Sequence, residues 1–216
     1  MSKPMVLRGD SGSWPFLMRV QRVRKGALGV LIACGLGAMV FVAPALDRAG
    51  AAGAAIRWSG VALLFACLFG RVWCSLYISG RKGSEIVRSG PYALCRNPLY
   101  VFSMLGAWGV GAQSGSLAVA ALCAALTWAV FRVVVFHEEE FLTVRHGASF
   151  EDYASEVPRF LPRALWTGYD GQIPVEPRLV MRTALDSALF FLAVPVFAVI
   201  EQAQRSGLVD ALIVLP

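Results

Sequence analysis

Long apolar runs separated by short polar islands set the plan of this chain. The first run extends from Gly26 to Leu46, about 21 residues, enough to cross a hydrocarbon core of ~30 Å. A cleaved leader is the rival reading, but its apolar core would be only ~7 to 15 residues and a small-residue cleavage site would follow. We read a retained first span. A second run, Trp58 to Ser79, is interrupted by Arg71 and gives way to a polar, basic loop from Gly80 to Asn97. After Pro98 the chain is apolar to Ala112, turns at Gln113, Ser114, Gly115 and Ser116, and is apolar again from Leu117 to Phe136, which is the pattern of a helical hairpin. The first leg, about 15 residues, rises about 22 Å and is short for a full crossing. Polar sequence follows from His137 to Arg178, and a last apolar stretch from Thr183 to Ile200, with Pro195 as its kink, makes a fifth span. The pattern predicts an all-α protein, a polytopic transmembrane bundle of about five spans in a single domain. Residues 1–25 form its basic N-terminal segment, 70–162 its core, and 163–216 a C-terminal extension that carries the last span.

Composition agrees with the pattern and charge placement orients it. Hydrophobic residues make up 57% of the chain and charged residues 16%, with a mean hydropathy of +0.61, outside the range of soluble domains. The net charge of +6 belongs to a membrane protein whose Lys and Arg collect in cytoplasmic loops, and it does not indicate a nucleic-acid binder. With a cytoplasmic N-terminus, the three inner segments hold six, four and five Lys or Arg, and the outer segments hold only Arg48, Arg57 and Arg205. This asymmetry predicts a cytoplasmic N-terminus and an outer C-terminus. Trp14 and Trp58 read as interfacial anchors. The five cysteines, Cys34, Cys67, Cys74, Cys95 and Cys123, lack metal-type spacing and mostly lie in apolar segments, so they read as reduced packing residues.

Two polar clusters carry the candidate chemistry, and the hairpin brings them to one face. In Ser89 to Tyr100, Gly90-Pro91 breaks the preceding segment and Pro98 suits the first turn of a helix, so Arg96 and Asn97 fall at a helix N-terminus. Such an end favours a carboxylate or another anion. The second cluster is His137-Glu138-Glu139-Glu140, continuing the fourth helix until Gly147, its C-cap. Adjacent carboxylates on a helix point about 100° apart, so Glu138 and Glu139 can hold different groups of one ligand. An ordinary loop leading into a membrane helix and a solvated acidic face are the plain alternatives.

The order Gly-Pro-Tyr at Gly90–Tyr92, Arg-Asn-Pro-Leu-Tyr at Arg96–Tyr100, a helical hairpin, Glu138-Glu139, and then Gly147 to Pro162 resembles the isoprenylcysteine carboxyl methyltransferase and phospholipid methyltransferase superfamily of integral membrane enzymes. The likeness covers about Gly70 to Pro162. It implies S-adenosylmethionine as cofactor, bound without metal in a pocket on the cytoplasmic side and closed by the Val157-Pro158 segment. Residue by residue it implies Tyr92, Leu94, Asn97, Pro98, Tyr100, Glu138 and Glu139 as cofactor-binding, with Tyr153 and Pro158 in the closing segment. Arg96, Arg71 and Arg159 are then the candidate catalytic residues. Asn97 stands where the eukaryotic carboxyl methyltransferases have His, and Phe102 where they usually have Gly. The upstream Gly-x-Gly signature of the phospholipid branch is not evident in the second span.

Methyl transfer from a sulfonium needs positioning and electrostatics above all, which these residue types supply. Glu138 and Glu139 suit the cofactor's ammonium and ribose hydroxyls; Asn97 and the helix N-terminus suit its carboxylate. Arg96 then orients an anionic acceptor, and the reverse assignment, Arg96 on the cofactor carboxylate, stays open. Arg71, about 12 Å into its span, is a functional candidate, with snorkelling as the alternative. Arg132 lies two turns before Glu139 on the same face and reads as its ion-pair partner. His137 and His146 read as structural. The expected partners are membrane lipids and a lipophilic or lipid-anchored acceptor, foremost the carboxylate of an isoprenylcysteine-like thioether, then an amine phospholipid, then a small thiol. A non-catalytic scaffold or small transporter is the reading from another class, although a transporter usually shows duplicated halves, and none is evident.

Overall fold

The computed structural model describes Gly26, Gly29 and residues 40–44, 50–81, 83–162 and 173–215. The described chain is helical apart from two three-residue strands. Helix α1 spans Ala51–Ile78, α2 Pro91–Leu94, α3 Pro98–Ala112, α4 Leu117–His146 and α5 Ala148–Glu156. Helix α6, Pro177–Ala188, continues through a 3₁₀ turn at Leu189–Leu192 into α7, Ala193–Arg205. Three helical segments, Ala51–Ile78, Leu117–His146 and Pro177–Arg205, are long and apolar enough to cross a membrane, and Pro98–Ala112 is a shorter apolar helix. The protein is thus an integral membrane helical bundle.

Most of the first expected span, with Trp14, Cys34 and the basic N-terminal segment, lies outside the described residues. Its end differs from expectation. Val42–Pro44 is not helical; it forms strand β1, paired in parallel with β2, Ile213–Leu215. β-Branched Val42 and a proline without an N–H favour an extended chain, and the Gln204 side chain donates to the carbonyls of Val40 and Val42 at 2.8 and 3.2 Å. Helix α1 in turn begins two turns before Trp58. The alanines at 51, 52, 54 and 55 are strong helix formers, and Arg57 is tied to Glu201 at 3.2 Å.

The hairpin forms as expected. Gln113 caps α3, and Ser116 caps α4 by accepting from the Val119 N–H at 3.3 Å. Helices α1 and α3 cross with backbone nearly touching: a Cβ at Gly109 would stand 2.7 Å from the Gly60 carbonyl oxygen. Small residues at such a crossing let membrane helices pack without a hydrophobic drive between them.

The C-terminal span runs antiparallel to α1, and its first half is fastened to it by polar contacts at successive depths. The Glu176 N–H donates to Ser79 Oγ at 3.2 Å, Ser75 Oγ donates to Thr183 Oγ1 at 3.2 Å, and Arg71 Nε donates to Ser187 Oγ at 2.7 Å. The α-helical ladder gives way to the 3₁₀ turn in the residues just before Pro195. That ring cannot donate and crowds the carbonyl four residues earlier, that of Phe191. Connectivity therefore sorts the molecule into two ends. Residues 79–81, 83–97, 147–162 and 173–176 share one end; the hairpin turn, the start of α1 and both strands share the other.

Candidate functional site

The site lies where α3 begins and α4 leaves the apolar layer. Gly90, at φ 59°, makes the turn into α2, and a Cβ there would fall 2.3 Å from the Tyr77 ring, so the position excludes a side chain. Pro91 opens α2, and Cys95 lies buried behind it. Asn97 is the N-cap of α3, with Pro98 at the first helical position. Gly147, at φ 53°, both ends α4 and starts α5.

These turns bring the two polar clusters together. Tyr100 donates its hydroxyl to Glu138 Oε2 at 3.0 Å, above a core of Tyr100, Phe131, Val134 and Val135. Glu139 is buried and receives Arg159 Nε and Nη2 at 3.0 and 2.7 Å and Asn97 Nδ2 at 3.3 Å. Arg96 Nε stands 3.2 Å from Glu139 Oε1 as an ion pair, yet its direction is wrong for a hydrogen bond, so this buried N–H has no acceptor. The segment after α5 closes over the cluster. The carbonyls of Ala154, in the last turn of α5, and of Pro158 and Arg159, after it, accept from Arg96 Nη1 at 2.6 Å, the Arg96 backbone N–H at 2.9 Å and Asn97 Nδ2 at 3.2 Å.

Helix α5 holds that segment in place. Phe150, Tyr153 and Val157 pack on Ile86 and Leu142, and the Tyr153 hydroxyl donates to the Tyr92 carbonyl at 2.7 Å. Burial pushes the Tyr92 and Tyr153 phenols above their usual range and the Cys95 thiol up to about 11, so all three stay protonated at neutral pH.

A cavity of ≈ 390 Å³ opens among these residues, a size suited to a small ligand. Of the residues singled out in the sequence, Tyr92, Arg96, Asn97, Tyr100, Glu138, Glu139 and Tyr153 line it. Leu94, Pro98, Arg159 and Arg71 do not. Pro98 is a buried helix start, Leu94 is half-buried in α2, and Arg159 approaches the wall from behind through Glu139. Arg71 joins three helices instead: it donates to Ser103 and Ser187 and lies 5.9 Å from the centre of the Phe190 ring.

The apolar lining went unmarked in the sequence: Ile78, Ile86, Val87, Leu99, Phe141, Leu142 and Phe150, with Glu85 beside them. Phe141 and Leu142 follow Glu138 by three and four residues, so helical spacing alone puts them on its face. The pairing of Arg132 with Glu139 is corrected. Its guanidinium lies over the Trp128 ring, 5.4 Å from the centroid, one turn back on the same helix, and Glu139 is taken by Arg96 and Arg159. His137 contacts the Val133 carbonyl through Nδ1 at 2.8 Å.

The model of the phospholipid methyltransferase family matches residues 65–149, the stretch that contains both polar clusters. A nickel-cobalt-cadmium resistance protein of Alcaligenes xylosoxydans xylosoxydans is 37% identical over 147 residues, 68% of each chain. A cobalt-zinc-cadmium resistance protein of Cupriavidus metallidurans is 48% identical over 94 residues, 44% of this chain and 43% of that one. No solved structure matches.

Proposed function

The chain belongs to the isoprenylcysteine carboxyl methyltransferase and phospholipid methyltransferase superfamily of integral membrane proteins, and from that membership we propose that it transfers a methyl group from S-adenosylmethionine to a lipophilic acceptor drawn from the bilayer. The observation that carries this reading is a small-ligand cavity whose polar side combines Glu138, held by Tyr100, with Asn97 and the N-terminus of α3. A zwitterionic amino acid moiety needs that combination: a carboxylate for its ammonium and an N–H for its carboxylate. The apolar wall of Ile78, Leu99, Leu142 and Phe150 suits an adenine ring. When bound, the cofactor supplies an electrophilic sulfonium methyl. The protein's own part is to fix two charged groups and to exclude water behind Tyr92 and Tyr153, both buried and both protonated.

The sequence resemblance puts an isoprenylcysteine-like carboxylate first among acceptors, with Arg96 as its orienting fork. In the folded chain Arg96 Nη1 is committed to the Ala154 carbonyl and Nε faces Glu139, and the family match is to phospholipid methyltransferases. These two observations favour the amine head group of a phospholipid. The cavity end is proposed to face the cytoplasm, on the strength of the Lys and Arg asymmetry. A cysteine placed at Ser155 should resist impermeant reagent added to intact cells, and one placed at Ser206 should react; the opposite pattern reverses the orientation. The relatives' names raise the further proposal that this methylation serves cells exposed to nickel, cobalt, zinc or cadmium, which unchanged metal tolerance on deleting the gene would refute.

The deciding experiment is calorimetry of S-adenosylmethionine and its demethylated product on the full chain in nanodiscs, followed by methyl transfer to fractionated lipid extracts with product identification. Binding is expected for the wild type. Glu138→Gln removes a charge-assisted hydrogen bond of ~1.5 to 3 kcal/mol and should weaken binding about ten-fold or more. No binding by the wild type in nanodiscs or detergent would return the chain to the scaffold reading.

A further inference from the structure

The two adjacent glutamates do not share one job. Both line the cavity, but Glu138 is half-buried and accepts from Tyr100. Glu139, one residue on and rotated about 100° around α4, is buried, and groups from two separate segments converge on it: Asn97 and Arg96 from the start of α3, and Arg159 from the segment after α5. Arg96 and Asn97 cross-link those segments a second time, donating to the carbonyls of Ala154, Pro158 and Arg159. Removing one member of a buried charge pair leaves the others uncompensated in a low-dielectric site. Glu139 is the only acidic member of that set, which otherwise holds the guanidinium groups of Arg96 and Arg159.

We infer that Glu139 is a positioning residue, the buried counter-charge that latches the strap Ala154–Arg159 onto the N-terminus of α3, and that the ligand-facing carboxylate of the pair is Glu138. The inference rests on the proposed function for the identity of the ligand, and on the geometry alone for the latch. By fixing Arg96 and the strap, Glu139 sets the wall against which a ligand is held. Without it the strap loosens and ligand affinity falls indirectly.

Two readouts on the full chain in nanodiscs test this. Hydrogen exchange without ligand, followed over residues 154–160, reads the latch. Glu139→Gln and Arg159→Met should each speed exchange there about ten-fold or more, and Glu138→Gln should change it less than about two-fold. Affinity for S-adenosylhomocysteine reads the consequence. Glu139→Gln and Arg159→Met should weaken it to similar extents, with the double variant no worse than the poorer single one, because both break one latch. Glu138→Gln combined with Arg159→Met should instead lose the product of the two effects. Unchanged exchange in Glu139→Gln overturns the inference. So does a loss of affinity in Glu139→Gln that Arg159→Met does not share, since Glu139 would then touch the ligand itself. If the wild type binds no S-adenosylhomocysteine, the methyltransferase reading falls, and the exchange arm still decides the latch. Arg159 is half exposed at its side chain, so Arg159→Met keeps the test open if Glu139→Gln does not fold.

Discussion

The two ends of the α3–α4 hairpin are both polar, and they use their polar groups in opposite ways. At the turn end the bonds are mostly short-range, the second bond of the Gln113 amide, to the Arg57 carbonyl, being the exception. Gln113 Nε2 reaches the Gly109 carbonyl, Ser114 Oγ the Gly111 carbonyl, and Ser116 Oγ receives the Val119 N–H. Each links residues three or four apart, and together they complete a turn inside a tight crossing of α1 and α3. At the cavity end the bonds are long-range: Tyr100 to Glu138, Asn97 to Glu139, Arg96 to Ala154, Tyr92 to Tyr153. Local bonds form with the turn itself, whereas long-range ones require the whole bundle to be in place and carry a larger loop-closure entropy. Polar content alone therefore does not mark a site. The distinguishing feature is a set of long-range polar contacts grouped around a cavity, with one buried donor, Arg96 Nε, left without an acceptor.

The largest effect expected from this contrast lies at the turn end. In Gly109→Val, the Cβ would fall 2.7 Å from the Gly60 carbonyl oxygen and 3.0 Å from Leu64 Cδ2. Relief of contact with a backbone oxygen requires the two helices to separate, so the loss should reach or exceed the ~1 to 3 kcal/mol typical of overpacking. Thermal unfolding in detergent should show a clear drop in midpoint. Ligand affinity of the fraction that stays folded should remain near wild type, and a proportionate fall would mean that the two ends are not separable.

A middle-sized effect should come from Gln113→Leu. Its amide donates to the Arg57 and Gly109 carbonyls at 3.2 and 3.1 Å in a buried position. Losing these donors should lower stability by about 1 to 3 kcal/mol, measured by chemical unfolding. Ligand affinity should change less than about two-fold, in contrast with Glu138→Gln. An equal effect of the two substitutions on affinity would dissolve the contrast.

What the sequence made legible follows the same division between local and long-range contacts. Turn chemistry can be read where it stands: Gly90-Pro91, the Asn97-Pro98 start of α3, the four-residue hairpin turn and Gly147 all fall at the element boundaries observed. The meeting of Tyr100 with Glu138 follows from the hairpin geometry. The partners of Glu139 do not, because Arg159 reaches it from a separate segment, while the arginine at helical spacing, Arg132, lies over Trp128 instead. The parallel pairing of Val42–Pro44 with Ile213–Leu215 joins opposite ends of the chain, and no periodicity in either three-residue segment announces it. Arg71 illustrates a further limit. A charge inside an apolar run marks a polar contact, but only the fold reveals that its hydroxyl partners are Ser103 and Ser187, on helices other than its own.

The smallest effect expected is also at the cavity end, and it sharpens the contrast by separating burial from mere proximity. Arg88 pairs with Asp152 at 2.8 Å, close to the strap, but the two side chains are 38% and 60% exposed. Water and salt screen such a pair, which is worth ~0 to 1 kcal/mol. Asp152→Asn removes the charge while leaving Arg88 its bond to the Ser149 carbonyl at 2.6 Å and its place 5.6 Å from the centre of the Tyr153 ring. Stability should therefore fall by less than about 1 kcal/mol, and the difference should vanish in high salt. Ligand affinity should be unchanged, since the Tyr153 hydroxyl still reaches the Tyr92 carbonyl and the wall behind the cavity stays closed. Chemical unfolding at low and high salt, with calorimetry on the same preparations, checks all three statements. A ten-fold loss of affinity in Asp152→Asn would show that the outer surface of α5 takes part in holding the strap, and the boundary between solvated surface and site would then move outward by one helical face.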